Sequence, residues 1–268
     1  GNDGFLNRLT LKIQYHLVDH LFVHTERMKG ELQSEFDVPA ERISVIPFGI
    51  NSTVPDTMLT RSEARHRLGL DSGHKAVLFF GNIAPYKGLG DLGDAMAQVV
   101  KTLPECRLII AGRPTGAESY WERIRERISA PSLRDKVVER IEYVPDADTE
   151  VYFKAADVLA LPYTHVFQSG VLFLGYNFGL PVIATDVGSL REDIIEGETG
   201  IVCEPADPIA FARAVEEYFS SDLYRTLDSR RTEIRRFAGE RYSWTKVAAI
   251  TKGVYRSLVP PREFGAGA

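Results

Sequence analysis

Short apolar runs alternate with amphipathic stretches along most of the chain. The runs KAVLFFG (75–81), RLIIAG (107–112), DVLALPY (157–163) and PVIATD (181–186) are continuously hydrophobic, not alternating. Strands read this way when helices cover both faces of a sheet, so these runs predict buried parallel strands. A fifth strand is expected at VVERIEYV (137–144). Between them, helical periodicity appears near 88–103, 117–129, 148–156 and 170–178. Strand–helix alternation at these spacings predicts right-handed βαβ units, hence an α/β chain with a doubly wound parallel sheet. Ahead of this lie a helical stretch over 5–20, the strand LFVH (21–24), a helix over 25–36 and the strand ISVIPF (43–48). A loop from Gly49 to about Leu59 follows. Thr60 and Glu63 then read as a capping box opening a helix over 61–69. Short pieces around 190–203 lead to helices over 207–220, 222–238 and 243–257.

Composition narrows the class. With 268 residues, 44% hydrophobic and 26% charged, the chain can bury a core and is neither disordered nor fibrous. Its two cysteines exclude a disulfide scaffold and suit a reducing compartment. No apolar run approaches the ~18 residues of a membrane span. A net charge of −5 argues against a dedicated nucleic-acid binder.

Ligands of doubly wound sheets sit beyond the carboxyl ends of the strands, so the chemistry is sought in the loops there. In GNIAPYKGLGDL (81–92), Gly81 permits a tight turn, Pro85 stiffens the loop, and Lys87-Gly88 opens a helix. A helix N-terminus with a lysine beside it is a phosphate site in outline; equally, a Gly-rich turn with a lysine nearby ends many ordinary strands. In the second loop, Gln168, Ser169 and Gly170 open a helix after a buried strand, where a diphosphate would find free amides. Ser169 also reads simply as a helix cap.

The order GNxxPxKG, AG, LPY…QSG…FGLPVIATDVG, EGETGIV and PADPIAFARAV closely resembles the C-terminal domain of glycosyltransferase family four. The resemblance runs from about Asp19 to Leu258, most specifically over 179–207, and ERISVIPFGIN (41–51) is similar to the family's interdomain linker. It implies a retaining, nucleotide-sugar-dependent enzyme of the GT-B fold, whose C-terminal half is a Rossmann-like domain. It implies no metal and no other cofactor beyond the nucleotide-diphosphate sugar as co-substrate. On matching positions, the donor phosphates fall to Gly81, Asn82, Lys87, Ser169 and Gly170. The sugar falls to His165, Phe167 and Gln168, and Tyr143 and Val144 line the base. No catalytic residue is assigned. Asn82 stands where the family has an arginine. Two family glutamates fall on Val166 and Leu174; either Gln168 or His165 then holds the sugar hydroxyls, or donor binding is lost.

Several tempting residues carry plainer readings. His16, His20 and His24 share a spacing suited to metal on one helix, but LFVH reads as a strand and breaks the triple. His24 and Thr25 close that strand, with Thr25 equally a helix cap. Arg225, Arg230, Arg231, Arg235, Arg236 and Arg241 suggest either a membrane-facing basic patch or a solvated helix laced with ion pairs. Glu192 and Asp193 suit an acid/base pair or the first turn of a helix.

The resemblance divides the chain into 1–50, a remnant of an N-terminal acceptor domain with its linker; 51–240, the nucleotide-sugar-binding domain; 241–258, a closing helix; and 259–268, a frayed tail. It implies hexose transfer to a glycan or lipid-linked acceptor, in the cytoplasm and at the inner membrane face, with an N-terminal domain as partner. The alternative is a catalytically incomplete nucleotide-sugar-binding or scaffold module acting with a separate N-terminal partner.

Overall fold

In the computed structural model, residues 4–50 and 53–259 are described. Asn51 and the tail from 260, which the sequence reading placed in the linker and the frayed end, lie outside them. Two compact units emerge: the described residues up to Gly49 with those from Glu240, and residues 50–239.

In the first unit, α1 (Phe5–Leu17), β1 (Leu21–Val23), α2 (Glu26–Phe36) and β2 (Ile43–Val45) form a small α/β layer, β1 pairing in parallel with β2. Thr25 accepts from the Met28 amide at 3.1 Å and caps α2. Met28, Leu32 and Phe36 pack on Val23, Val38 and Ile43, which are this layer's core. The other face of α1 leaves Phe5, Leu6, Leu9, Ile13 and Leu17 exposed.

The second unit is the expected doubly wound domain. Its elements are α3 (Arg61–Arg67), β3 (Lys75–Phe80), α4 (Leu89–Thr102), β4 (Cys106–Ala111), α5 (Glu118–Ile128) and β5 (Val137–Arg140). They continue through α6 (Asp146–Ala155), β6 (Val158–Leu161), α7 (Gly170–Asn177), β7 (Val182–Thr185), α8 (Leu190–Asp193) and β8 (Gly200–Cys203). Helices α9 (Pro208–Ser220), α10 (Asp222–Arg225) and α11 (Leu227–Arg241) follow, and α12 (Trp244–Leu258) belongs to the first unit. All six strands are parallel, in the order β5-β4-β3-β6-β7-β8. The chain winds outward from β3 to β5, then returns to β6 and winds the other way, so the topological switch point lies between β3 and β6. Strand side chains are buried throughout β6 and β7 and in all but the end residues of β3, as the continuous apolar runs require.

Four local readings are corrected. Helix α1 stops at Leu17 instead of continuing to 20. The fifth strand ends at Arg140, not 144, because only Val137–Arg140 align with β4; Tyr143 and Val144 lie in the loop beyond. The short pieces at 190–203 include a strand, β8, whose four residues are defined by pairing with β7. The helix expected over 222–238 is two helices, broken at Thr226. The Thr60–Glu63 capping box is present with both of its reciprocal bonds.

One glycine ties the strand exits together. Gly112 has φ +149, and a Cβ built there would stand 1.9 Å from the Gly81 carbonyl oxygen. Gly112→Ala is therefore expected to cost about 3 kcal/mol in urea unfolding, through strain and backbone collision. Gly239→Ala, which meets nothing within 4 Å on α11, is expected to be neutral or to stabilise by up to about 1 kcal/mol.

Candidate functional site

The loops after β3 and β6 meet at the switch point. Leaving β3, the chain turns at Gly81 and makes a single 3-10 turn over Pro85–Lys87. Gly88, at φ +65, then starts α4, and a Cβ there would lie 1.8 Å from the Pro162 carbonyl oxygen. The two loops are further joined by the Thr164 amide donating to the Tyr86 carbonyl at 2.8 Å. This close fit buries Lys87, only 8% exposed, and places its ammonium 3.3 Å from where a Gly81 Cβ would stand and 5.2 Å from the centre of the Tyr163 ring. Among the described residues the ammonium makes no hydrogen bond and no ion pair. Burial without a counter-charge pulls its pKa down to about 8.

After β6, Ser169 precedes α7 but does not cap it. Its hydroxyl instead lies 3.3 Å from the Tyr163 hydroxyl, and Tyr163 is buried deeply enough that its pKa rises to about 12. The cap reading of the Ser169 side chain is thereby excluded, and the start of α7 carries no side-chain cap among the described residues, leaving the positive end of the helix open next to Lys87's loop. Gly170 is exposed there. The loop after β7 props this backbone: the Ser189 amide and hydroxyl both donate to the Phe167 carbonyl, at 3.0 and 2.7 Å.

Of the other expected positions, Asn82 is exposed and Gln168 half-buried. His165 and Phe167 are exposed, their rings 6.1 Å apart and edge to face. Beyond β5, Tyr143 is 62% exposed, and the Arg113 guanidinium, from the loop after β4, lies 5.3 Å from its ring centre. Val144 is half-buried. The sequence reading missed Tyr163, Ser189 and Arg113. Their only sequence signal was position: each follows an apolar strand closely, in LPY, IATDVGS and IIAGR.

The histidines do not converge. His16 Nδ1 lies 2.8 Å from the Lys12 carbonyl, His20 Nε2 2.9 Å from the Ser44 hydroxyl, and His24 Nδ1 3.2 Å from the Ile46 carbonyl. Among the described residues, no group of three or more His, Cys, Asp or Glu could hold a metal ion. The arginine run is dispersed: Arg225 pairs with Asp222, Arg230 with Glu233, and Arg235 with Asp56. Arg231 donates to the Phe178 and Ala156 carbonyls, and burial lowers its pKa to about 10. Ion pairing and carbonyl capping thus account for four of the six. Glu192 and Asp193 both fall in the single turn of α8, Asp193 buried. No described helix is long and apolar enough to cross a membrane.

A parallel, doubly wound sheet with its loops gathered at one switch point defines a Rossmann-like α/β domain, and comparison with solved structures places it in the GT-B fold. Sucrose-phosphate synthase from Thermosynechococcus elongatus superposes with a TM-score of 0.78 at 24% identity, covering 96% of this chain and 62% of that one. The Anabaena protein HepE in complex with UDP-glucose superposes at 0.75 with 19% identity, covering 94% and 67%. Residues 74–221 match the family model described as glycosyl transferases group 1, more than half of the chain, and the chain belongs to that family. Curated relatives include a D-inositol 3-phosphate glycosyltransferase of Acidothermus cellulolyticus, 30% identical over 92% of this chain and 55% of its own length. Another of the same name, from Corynebacterium urealyticum, is 28% identical over 92% of this chain and 58% of its own length. The chain thus spans somewhat over half the length of these relatives.

Proposed function

We propose that this chain is the donor-binding part of a retaining glycosyltransferase that moves a hexose from a nucleotide-diphosphate sugar to a glycan or lipid-linked acceptor. The observation that carries the reading is Lys87: a buried ammonium without a hydrogen bond or ion pair among the described residues, beside a switch point and an uncapped helix N-terminus. Such an arrangement costs stability until an anion arrives, and a diphosphate supplies the missing charge. In transfer, the bond from the sugar's anomeric carbon to the diphosphate breaks with its electron pair on the diphosphate. Lys87 and the amides of Ser169 and Gly170 offset that growing charge, a role in which no divalent metal is required. Gly81 leaves the space into which Lys87 points, and Asn82, at the loop's outer edge, faces the phosphates. The sugar then extends toward His165, Phe167 and Gln168, and the base toward Tyr143 and Val144. Solved HepE structures contain UDP and UDP-glucose, which supports a nucleotide sugar as the ligand.

The same reading makes residues 1–50 the end of an acceptor-side domain and α12 a helix returning to it. The exposed stripe Phe5, Leu9, Ile13 and Leu17 supports this, since such a stripe belongs against further chain.

Val166 and Leu174, apolar where the family carries glutamates, favour a second reading: a module that binds donor without turnover. Two measurements decide. UDP, GDP and UDP-glucose are added to the chain in thermal unfolding; ligand at 100 times its Kd is expected to stabilise by about 2.7 kcal/mol. If no nucleoside diphosphate stabilises at millimolar concentration, the donor-binding reading is wrong. The chain is then fused to an N-terminal half from a relative and given labelled nucleotide sugar. Transfer or hydrolysis supports the enzyme, and donor binding without either supports the module.

A further inference from the structure

We infer that Arg113 reads the nucleobase of the donor and selects bases with a carbonyl at C4 of the pyrimidine or C6 of the purine, uracil or guanine, over cytosine and adenine, which carry an amino group there. The inference rests on the donor-binding reading above and adds to it the class of nucleotide. It begins from placement. The β4 exit is bonded to the β3 exit: the Ile83 amide donates to the Arg113 carbonyl at 2.9 Å, and Ile83 bridges to Pro114. Arg113 therefore stands one strand away from Gly81 and Lys87, on the side opposite β6. A diphosphate held between Lys87 and the start of α7 occupies the β3–β6 gap. Its nucleoside then crosses β4 toward β5, a span of two strand spacings or about 10 Å, where Arg113 and Tyr143 lie.

The chemistry follows from what Arg113 touches. Its guanidinium is exposed and makes no ion pair or hydrogen bond among the described residues; its neighbour is the face of Tyr143. Attraction between the cation and the ring keeps the guanidinium near Tyr143 while leaving its N–H groups unsatisfied by the described residues. A guanidinium only donates hydrogen bonds. It therefore pairs with O4 of uracil, or bidentately with O6 and N7 of guanine. Against the amino group of adenine or cytosine it sets donor against donor. With its ring face toward Arg113, Tyr143 acts as the residue that positions the guanidinium, and the discrimination falls to Arg113.

The test measures dissociation constants by calorimetry for UDP, GDP, CDP, ADP and inorganic pyrophosphate, on the wild-type chain and on Arg113→Met, Arg113→Lys and Lys87→Ala. The wild type is expected to bind UDP or GDP at least about 10-fold more tightly than ADP and CDP, the scale of one specific base contact. Arg113→Met is expected to bring that ratio to within about 2-fold while leaving pyrophosphate binding unchanged, since the contact is to the base. Arg113→Lys, which keeps the charge but loses the planar fork, is expected to lose most of the ratio as well. A wild type that binds all four nucleotides alike, with binding still lost in Lys87→Ala, overturns the base reading and leaves donor binding standing. A loss of pyrophosphate affinity in Arg113→Met equal to the loss for UDP overturns it too, by making Arg113 a phosphate contact. If none of the five ligands binds, both readings fall together. Unfolding curves of the Arg113 variants that match the wild type exclude a folding defect at this exposed position.

Discussion

Lys87→Met is expected to weaken binding of a nucleoside diphosphate by about 100-fold, because on the proposed reading it removes a charge-assisted contact between a buried ammonium and the diphosphate. The same substitution is expected to stabilise the unliganded chain. Burial holds the Lys87 pKa at about 8, against an ordinary value of 10.5, and each unit of such a shift is worth about 1.4 kcal/mol. The buried charge therefore opposes folding by something on the order of 3 kcal/mol at neutral pH, and methionine fills the same space without it. Opposite changes in stability and affinity in one variant would identify a side chain kept for a ligand; parallel loss of both would show Lys87 to be structural.

The pH dependence carries the same signature with opposed signs. Between about 8 and 10.5 the unfolded chain holds more protons on this lysine than the folded one, so unliganded stability rises with pH across that window. If the ammonium holds the diphosphate as proposed, affinity falls as pH rises above about 8, reaching roughly a 30-fold loss by pH 9.5. Calorimetric titrations of UDP from pH 7 to 9.5 check this, and the Lys87→Met chain should lose the dependence.

Asp157→Ala is expected to cost about 3–5 kcal/mol of unfolding free energy, the cost of leaving a buried ion without its partner. Asp157 is fully buried at the amino end of β6. Its carboxylate accepts from Arg61, from Arg65 at 2.7 Å and from the Ala76 amide at 2.8 Å, while its own amide donates to the Ala76 carbonyl at 2.8 Å. Ala76 lies in β3, so this one residue fastens the two strands that flank the switch point. Arg65 is itself buried and also donates to the Ala155 carbonyl, so without Asp157 it keeps its charge and loses its counter-ion. Given the 5–15 kcal/mol typical of folded domains, this is a large share of the total. Urea unfolding measures it. Because Asp157 sits at the end of the sheet opposite the loops that gather Lys87, Ser169 and Arg113, UDP affinity of the folded variant should stay within about 2-fold of wild type. A large affinity loss alongside would show that the strand ends communicate.

The buried parallel strands, the Thr60–Glu63 capping box and the glycine-bounded turn around Lys87 were all legible along the chain. Continuous apolar runs report burial on both faces, and caps report bonds three residues apart. The same one-dimensional pattern placed Tyr143 and Val144 in a strand, because alternation continues past Arg140; pairing with β4 does not. It also offered Ser169 as a cap, since a serine before a helix has that geometry by default. The competing partner, Tyr163, lies six positions away through a buried turn.

Sequence alone therefore determined the fold class, the family resemblance and the strand ends where the candidate site lies, because each depends on local periodicity or on motifs contiguous in the chain. Only the tertiary structure decided which groups meet there. It turned the Ser169 hydroxyl away from α7, left Lys87 without a counter-ion among the described residues, set Arg113 over Tyr143 and separated the three histidines. Each outcome depends on which side chains the folded sheet brings within a few ångströms, and neither composition nor spacing encodes that.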